Sequence, residues 1–165
     1  GINAVASDNA VTLRVLDQSF TTSAWATQLT DALVARKIDI VALAGFMRLL
    51  PESVIHAVHG HILNIHPALL PKHGGKGMYG RRVHEAVMQA GDKVTGATVH
   101  LVNAQYDDGR ILGQTHVEVQ DGESVLDLES RVKAAEKILY PDVLETYAAN
   151  LSFDVENWRS HKRNF

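Results

Sequence analysis

The chain has 165 residues, 45% of them hydrophobic, which suffices for one substantial core and matches the size of a single domain. A formal net charge of −3 with scattered Lys and Arg leaves no footprint for nucleic acid, so small-molecule substrates fit better. The absence of Cys removes disulfides, thiolate nucleophiles and Cys-based zinc sites and is compatible with a reducing cytoplasm; no stretch reads as a signal peptide or a membrane-length apolar run.

The opening residues Gly1 to Val5 read like the tail of a helix. Val11 to Leu16 alternates in the manner of a strand, and Thr22 to Lys37 sets Trp25, Leu29 and Leu33 on one helical face. Asp39 to Ala44 is a continuous apolar run ending at Gly45, the pattern of a parallel strand covered on both faces and therefore central in a sheet. Pro51 at the first helical position predicts a short helix through Val58, closed by Gly60. The strand His61 to Ile65 follows, and Pro67 stops it. Leu69 to Gly80 carries Pro71 and the glycines Gly74, Gly75, Gly77 and Gly80, too many for a regular element, and reads as a loop over a site. Tyr79 to Ala90 returns to helix, with Val83, Ala86, Val87 and Ala90 as its buried stripe and Gly91 as its end. Gly96 to Val102 and Ile111 to Val119 are strand-like and could pair as a hairpin around the turn that holds Asp107, Asp108 and Gly109. Ser124 with Asp127 resembles a capping box opening a long helix faced by Val125, Leu128, Val132, Ala135 and Leu139, which Pro141 should kink or interrupt. Leu151 to Phe165, with Trp158, shows no clear period.

Asn64 and His66 fall at the carboxyl end of a predicted parallel strand, where open α/β sheets place their ligand crevice. Residues two apart in a strand point to one side, so an amide and an imidazole converge on one pocket while Ile65 turns to the core. The amide offers an uncharged donor to a developing oxyanion, and the imidazole can donate a proton near neutral pH. That combination suits acyl transfer. A plainer reading makes Asn64 a turn residue and His66 a strand-end cap, and for an isolated Asn-x-His-Pro it would prevail.

The surrounding strings weigh against it: Asn64-Ile65-His66-Pro67-Ala68-Leu69-Leu70-Pro71-Lys72, with Asp107-Asp108-Gly109 downstream and Ala44-Gly45-Phe46-Met47-Arg48 upstream. From about Val11 to Ala149 the chain resembles the folate-dependent formyltransferases. It is most similar to the branch that acts on glycinamide ribonucleotide, of which Gly74 to Gly80 looks like a variant. The resemblance implies a mostly parallel, doubly wound Rossmann-like α/β sheet with helices on both faces and an antiparallel C-terminal hairpin. It implies transfer of a formyl group from the co-substrate 10-formyltetrahydrofolate to the amine of glycinamide ribonucleotide in de novo purine biosynthesis, with no metal. By motif, Asn64 would bond the formyl oxygen, His66 would act as general acid or cationic oxyanion stabiliser, and Asp107 would raise the His66 pKa. Asp107 is also readable as a turn acid beside Gly109, with Asp108 its rival. Met47, Arg48, Leu49 and Leu50 would border the pterin of the folate, with Asn103 to Asp107 as the opposite wall, though Met47, Leu49 and Leu50 equally suit a core. Lys133 and Glu136, one turn apart and expected to be exposed, would lie near the nucleotide substrate.

The same resemblance implies a strand, a Gly-rich Ser-Asn loop and a helix that grip the substrate phosphate, and residues 1–165 do not supply them. The expectation is one catalytic domain over 1–165 without that N-terminal βα unit, acting in the cytoplasm on small molecules, with no nucleic acid or membrane partner and with room for a homodimer. Alternatives are a formyltetrahydrofolate hydrolase, a methionyl-tRNA formyltransferase, and an inactive folate-binding remnant. His56, His59 and His61 lack an accompanying carboxylate and read as surface or packing residues rather than zinc ligands. His100 and His116 read as structural, with His100 possible as a support behind the pocket.

Overall fold

A computed structural model describes the backbone of residues 22–161 and the side chains of residues 24–151. The expected strand Val11–Leu16 and the side chains of the Leu151–Phe165 tail, Trp158 included, lie outside these. In chain order the elements are α1 (Thr22–Ala35), β1 (Val41–Leu43), α2 (Glu52–Ala57), β2 (Ile62–His66), α3 (Arg81–Gln89), β3 (Val94–Leu101), β4 (Ile111–Glu118) and α4 (Val125–His161).

The sheet is mixed and runs β1-β2-β3-β4. β1 lies parallel to β2 with Leu43 opposite Asn64, whereas β2 and β3 are antiparallel with Asn64 opposite His100 and His66 opposite Thr98. β3 and β4 form the expected antiparallel hairpin, with a bulge at Val99 and His100. Among the described residues β1 pairs with β2 alone, so they do not test the sheet-centre place that its apolar run predicts. Continuous apolarity reports cover on both faces, and it does not report how many strands lie alongside.

Helices cover both faces. Ala26, Leu29 and Leu33 of α1 pack with Val54 of α2, Leu43 of β1 and Ile62 of β2 in one core, to which Leu50 also belongs. Val87 of α3, Ala97 of β3, Val117 of β4, and Leu128 and Val132 of α4 form the other, with Ile65 against it. The two-residue period of β2 sends Ile62 and Ile65 to opposite cores. Each of Leu128 and Val132, fully buried, removes on the order of 2 kcal/mol of apolar surface from water.

Three local expectations need correction. Pro51 is the N-cap of α2 in an extended conformation, not its first helical residue. Its fixed φ serves both positions, and only ψ separates them. α4 runs through Pro141 without interruption to His161. Proline costs one internal hydrogen bond there, and the Tyr140 hydroxyl, 2.9 Å from both the Leu43 and Leu63 carbonyl oxygens, pins the helix to the sheet at that point. The tail without a clear period is thus helical as far as His161. The capping box does form: the Ser124 hydroxyl receives the Asp127 amide at 3.2 Å and donates to the Asp127 carboxylate at 2.7 Å. Among the described residues no helix is long and apolar enough to cross a membrane.

Candidate active site

β2 delivers Asn64 and His66 to the wall of a cavity of about 560 Å³. Phe46 and Met47, from the loop after β1, line one side; Gly75 to Gly80 cross it; Tyr106 and Asp107 enter from the β3–β4 turn; His84 of α3 and Glu129, Lys133 and Glu136 of α4 close the rest. The Gly-rich segment is the loop over the site that its composition predicts.

Asp107 reaches the cavity because of how its turn is built. It adopts φ +53°, a left-handed conformation that Asp tolerates better than most residues. Two residues on, a Cβ on Gly109 would lie 1.7 Å from the Leu101 carbonyl oxygen, so only glycine allows the turn to close against β3. The Asp107 carboxylate then accepts the Gly75 amide at 2.9 Å and stands 3.5 Å from His66 Nδ1 and 3.6 Å from His100 Nε2. Asp108 is exposed and accepts from the Asn103 side chain at 3.3 Å, away from His66.

His66 is only 4% exposed and donates from Nε2 to the His73 carbonyl at 2.8 Å. Burial pushes its pKa below the ordinary 6.5; the Asp107 charge and the His73 carbonyl push upward without overcoming it, and His100 and His73 add to the lowering. Asp107 thus acts in the direction that the resemblance implies, while the net displacement is the opposite. For Asp107 itself burial raises the pKa, but hydrogen bonding to His100, the His66 charge and the Gly75 amide together hold it below the usual carboxylate value.

Asn64 donates from its amide to His100 Nε2 at 3.2 Å, and His100 donates from Nδ1 to the Leu101 carbonyl at 2.9 Å. Through these contacts His100 holds the Asn64 side chain in place. Asn64 Oδ1 is left buried without a partner. An orphaned polar atom on a cavity wall marks a place where a ligand's donor would bind, because leaving it unmet costs about 1–3 kcal/mol.

The remaining expected residues divide. Met47, 60% exposed, lines the cavity, as do Lys133 and Glu136. Arg48, Leu49, Leu50 and Asn103 do not. Leu50 points into the α1–α2 core, Arg48 and Leu49 are exposed beside it, and Asn103 spends its side chain on the Gln105 amide and Asp108. Lys133 is exposed and paired with Glu129, which also receives Arg81, whereas Glu136 is partly buried and burial raises its pKa. Sequence reasoning missed His84, 2% exposed with an unpartnered Nδ1; a lone His within an amphipathic stripe gives no signal of the cavity behind it. It also missed His73, whose carbonyl serves His66. His61 is hydrogen-bonded to the Tyr147 hydroxyl at 2.7 Å, and among the described residues no cluster of His, Asp and Glu is placed to hold a metal ion.

Fold and site together define a Rossmann-like α/β domain whose pocket opens at the carboxyl end of a sheet strand. The chain belongs to the formyl transferase family, whose model matches residues 1–144. Phosphoribosylglycinamide formyltransferase, chloroplastic, of Arabidopsis thaliana is 45% identical over 117 residues, covering 71% of this chain and 40% of that protein. The crystal structure of glycinamide ribonucleotide transformylase 1 from Symbiobacterium toebii superposes with a TM-score of 0.72 at 37% identity, over 79% of this chain and 59% of that one. Phosphoribosylglycinamide formyltransferase from Brucella melitensis gives 0.69 at 43% identity, over 78% and 64%. The chain spans about two fifths of the length of the curated plant relatives it matches.

Proposed function

We propose that this chain carries the catalytic centre of an enzyme that passes the formyl group of 10-formyltetrahydrofolate to the amine of glycinamide ribonucleotide, a step of de novo purine biosynthesis. The observation that carries the reading is the meeting of Asn64, His66 and Asp107 at one cavity, with Asp107 3.5 Å from His66. The names of the family's relatives point the same way. A Cys-free sequence is compatible with a reducing compartment such as the cytoplasm; the plant relative's name places that protein in the chloroplast.

The folate would supply an activated formyl carbon, and the acceptor amine is itself the nucleophile, so no protein nucleophile is needed. Asn64 and the Nδ1 proton of protonated His66 would face the formyl oxygen and stabilise the negative charge that builds there. Asp107 would hold the imidazolium in place. Because burial lowers the His66 pKa, the ring releases its proton readily near neutrality. The unpartnered Asn64 Oδ1 and the exposed Met47 side chain fit a flat heterocycle bearing amide-like donors. Arg48, Leu49 and Leu50 would border the folate from beside the cavity, next to Met47, and Asn103 would serve by shaping the turn that presents Asp107. Lys133 and Glu136 would face the sugar of the nucleotide.

In the full-length protein, His66→Ala is expected to reduce formyl transfer by about 10²–10⁴-fold while folate binding, followed by fluorescence or calorimetry, persists. Turnover near the wild-type rate would refute the assignment.

A further inference from the structure

A chain of contacts links the surface to the far side of His66. Asp92, in the turn between α3 and β3, has one carboxylate oxygen 2.7 Å from His73 Nε2 and the other on the Lys72 ammonium. His73 stands at φ +55°, a conformation that an L residue holds only when its surroundings over-determine it. In that conformation its carbonyl, reached at 2.8 Å, takes the proton on His66 Nε2. A carbonyl oxygen can only accept, so Nε2 is protonated in both charge states of the ring, and the proton that comes and goes sits on Nδ1, facing Asp107.

We propose that Asp92 is a positioning residue for His66: by anchoring the His73 side chain it keeps the His73 carbonyl on Nε2 and so makes Nδ1 the titrating nitrogen. The proposal rests on the reading of His66 as the proton donor. His73 and Asp92 are each only 13% exposed at the side chain, so the anchor is sheltered from solvent, while Lys72 is 62% exposed. The other ionisable groups around His66 are Asp107 from the β3–β4 turn, His100 from β3 and His84 from α3, and none of them faces Nε2 with an acceptor as the His73 carbonyl does. The Asp92 carboxyl is held below its usual pKa by its bonds to Lys72 and His73, so the anchor stays charged across the neutral range.

The test is ¹⁵N NMR of the His66 ring nitrogens in the full-length protein without substrate, across a pH titration, in wild type, Asp92→Asn, His73→Asn and Lys72→Met. Wild type and Lys72→Met are expected to show neutral His66 with its proton on Nε2 alone. Asp92→Asn is expected to show both tautomers and a lower His66 pKa. His73→Asn, which suits a left-handed residue but removes the imidazole, is expected to do the same, and it carries the test should Asp92→Asn fail to fold. In parallel, kcat at neutral pH should fall on the order of fivefold in these two variants with KM unchanged, and recover as pH is lowered. A neutral His66 protonated on Nδ1 in wild type, or an unchanged tautomer in folded Asp92→Asn, overturns the proposal. Because the NMR signal needs no formyl donor, a clamp that behaves as expected in a protein without formyl transfer would refute the proposed function and leave the clamp standing.

Discussion

His66 holds a proton in a place from which water has been removed, and opposing influences decide how tightly. Burial weakens its grip, while Asp107 and the His73 carbonyl restore part of it. Replacing Asp107 by Asn removes a charge that favours the imidazolium, so the His66 pKa falls further. Activity that depends on protonated His66 is present below that pKa and lost as pH rises through it, so the alkaline limb of the kcat profile should move to lower pH. Loss at neutral pH should be on the order of tenfold. An unmoved limb in Asp107→Asn would transfer the role to Asp108 or to neither. At this scale the sequence was most informative for Asn64, His66 and Asp107, because the strings around them carry the resemblance that a strand end and a turn alone would not. It was least informative for His84 and His73. One is an inconspicuous member of a helical stripe, and the other acts through its backbone, which no side-chain motif records.

Among the elements, the β3–β4 turn is built on a constraint that permits no side chain at residue 109. Gly109→Ala would force Leu101 and its carbonyl away and loosen the Leu101 amide bond to the Arg110 carbonyl, 2.9 Å long. A loss of about 1–3 kcal/mol in denaturant unfolding is expected, with a larger fall in activity than in stability because Asp107 sits on the displaced turn. Full activity with reduced stability would show that the turn serves the fold alone. Elements with a clear period, α1, the stripe of α3 and the first half of α4, were legible from spacing, as was the capping box. The placing of Arg48, Leu49 and Leu50 was not, because three consecutive residues after a short strand face whichever side the neighbouring helices leave open. Leu50 went to the α1–α2 core for that reason.

For the whole molecule, both buried histidines on the cavity wall resist protonation. His66 and His84 have folded-state pKa values below the ordinary 6.5, burial being the largest cause in each. The unfolded chain therefore takes up protons first as pH falls, and the stability that these groups lend is present above about pH 6.5 and lost as pH falls through their lowered values. Thermal unfolding should show Tm falling between pH 7.5 and 5.5, and the fall should be smaller in His84→Gln. An equal fall in that variant would assign the acid sensitivity to other groups. That the chain builds an α/β domain was legible because apolar runs and helical stripes alternate along it, and the resemblance supplied the Rossmann-like arrangement; the pairing order of the strands was not legible, since it is decided by contacts far apart in sequence.

Tyr140 links these scales. Its hydroxyl grips carbonyls of both parallel strands, one of them the residue just before Asn64, and one turn earlier the same helix carries Glu136 into the cavity. The grip is a gauge of length: sliding α4 by a single residue would carry Glu136 about 1.5 Å along the cavity relative to Asn64. In the proposed reaction that interval separates the group that holds the sugar from the group that meets the formyl oxygen, so one phenol on the back of the sheet sets the span over which donor and acceptor must meet.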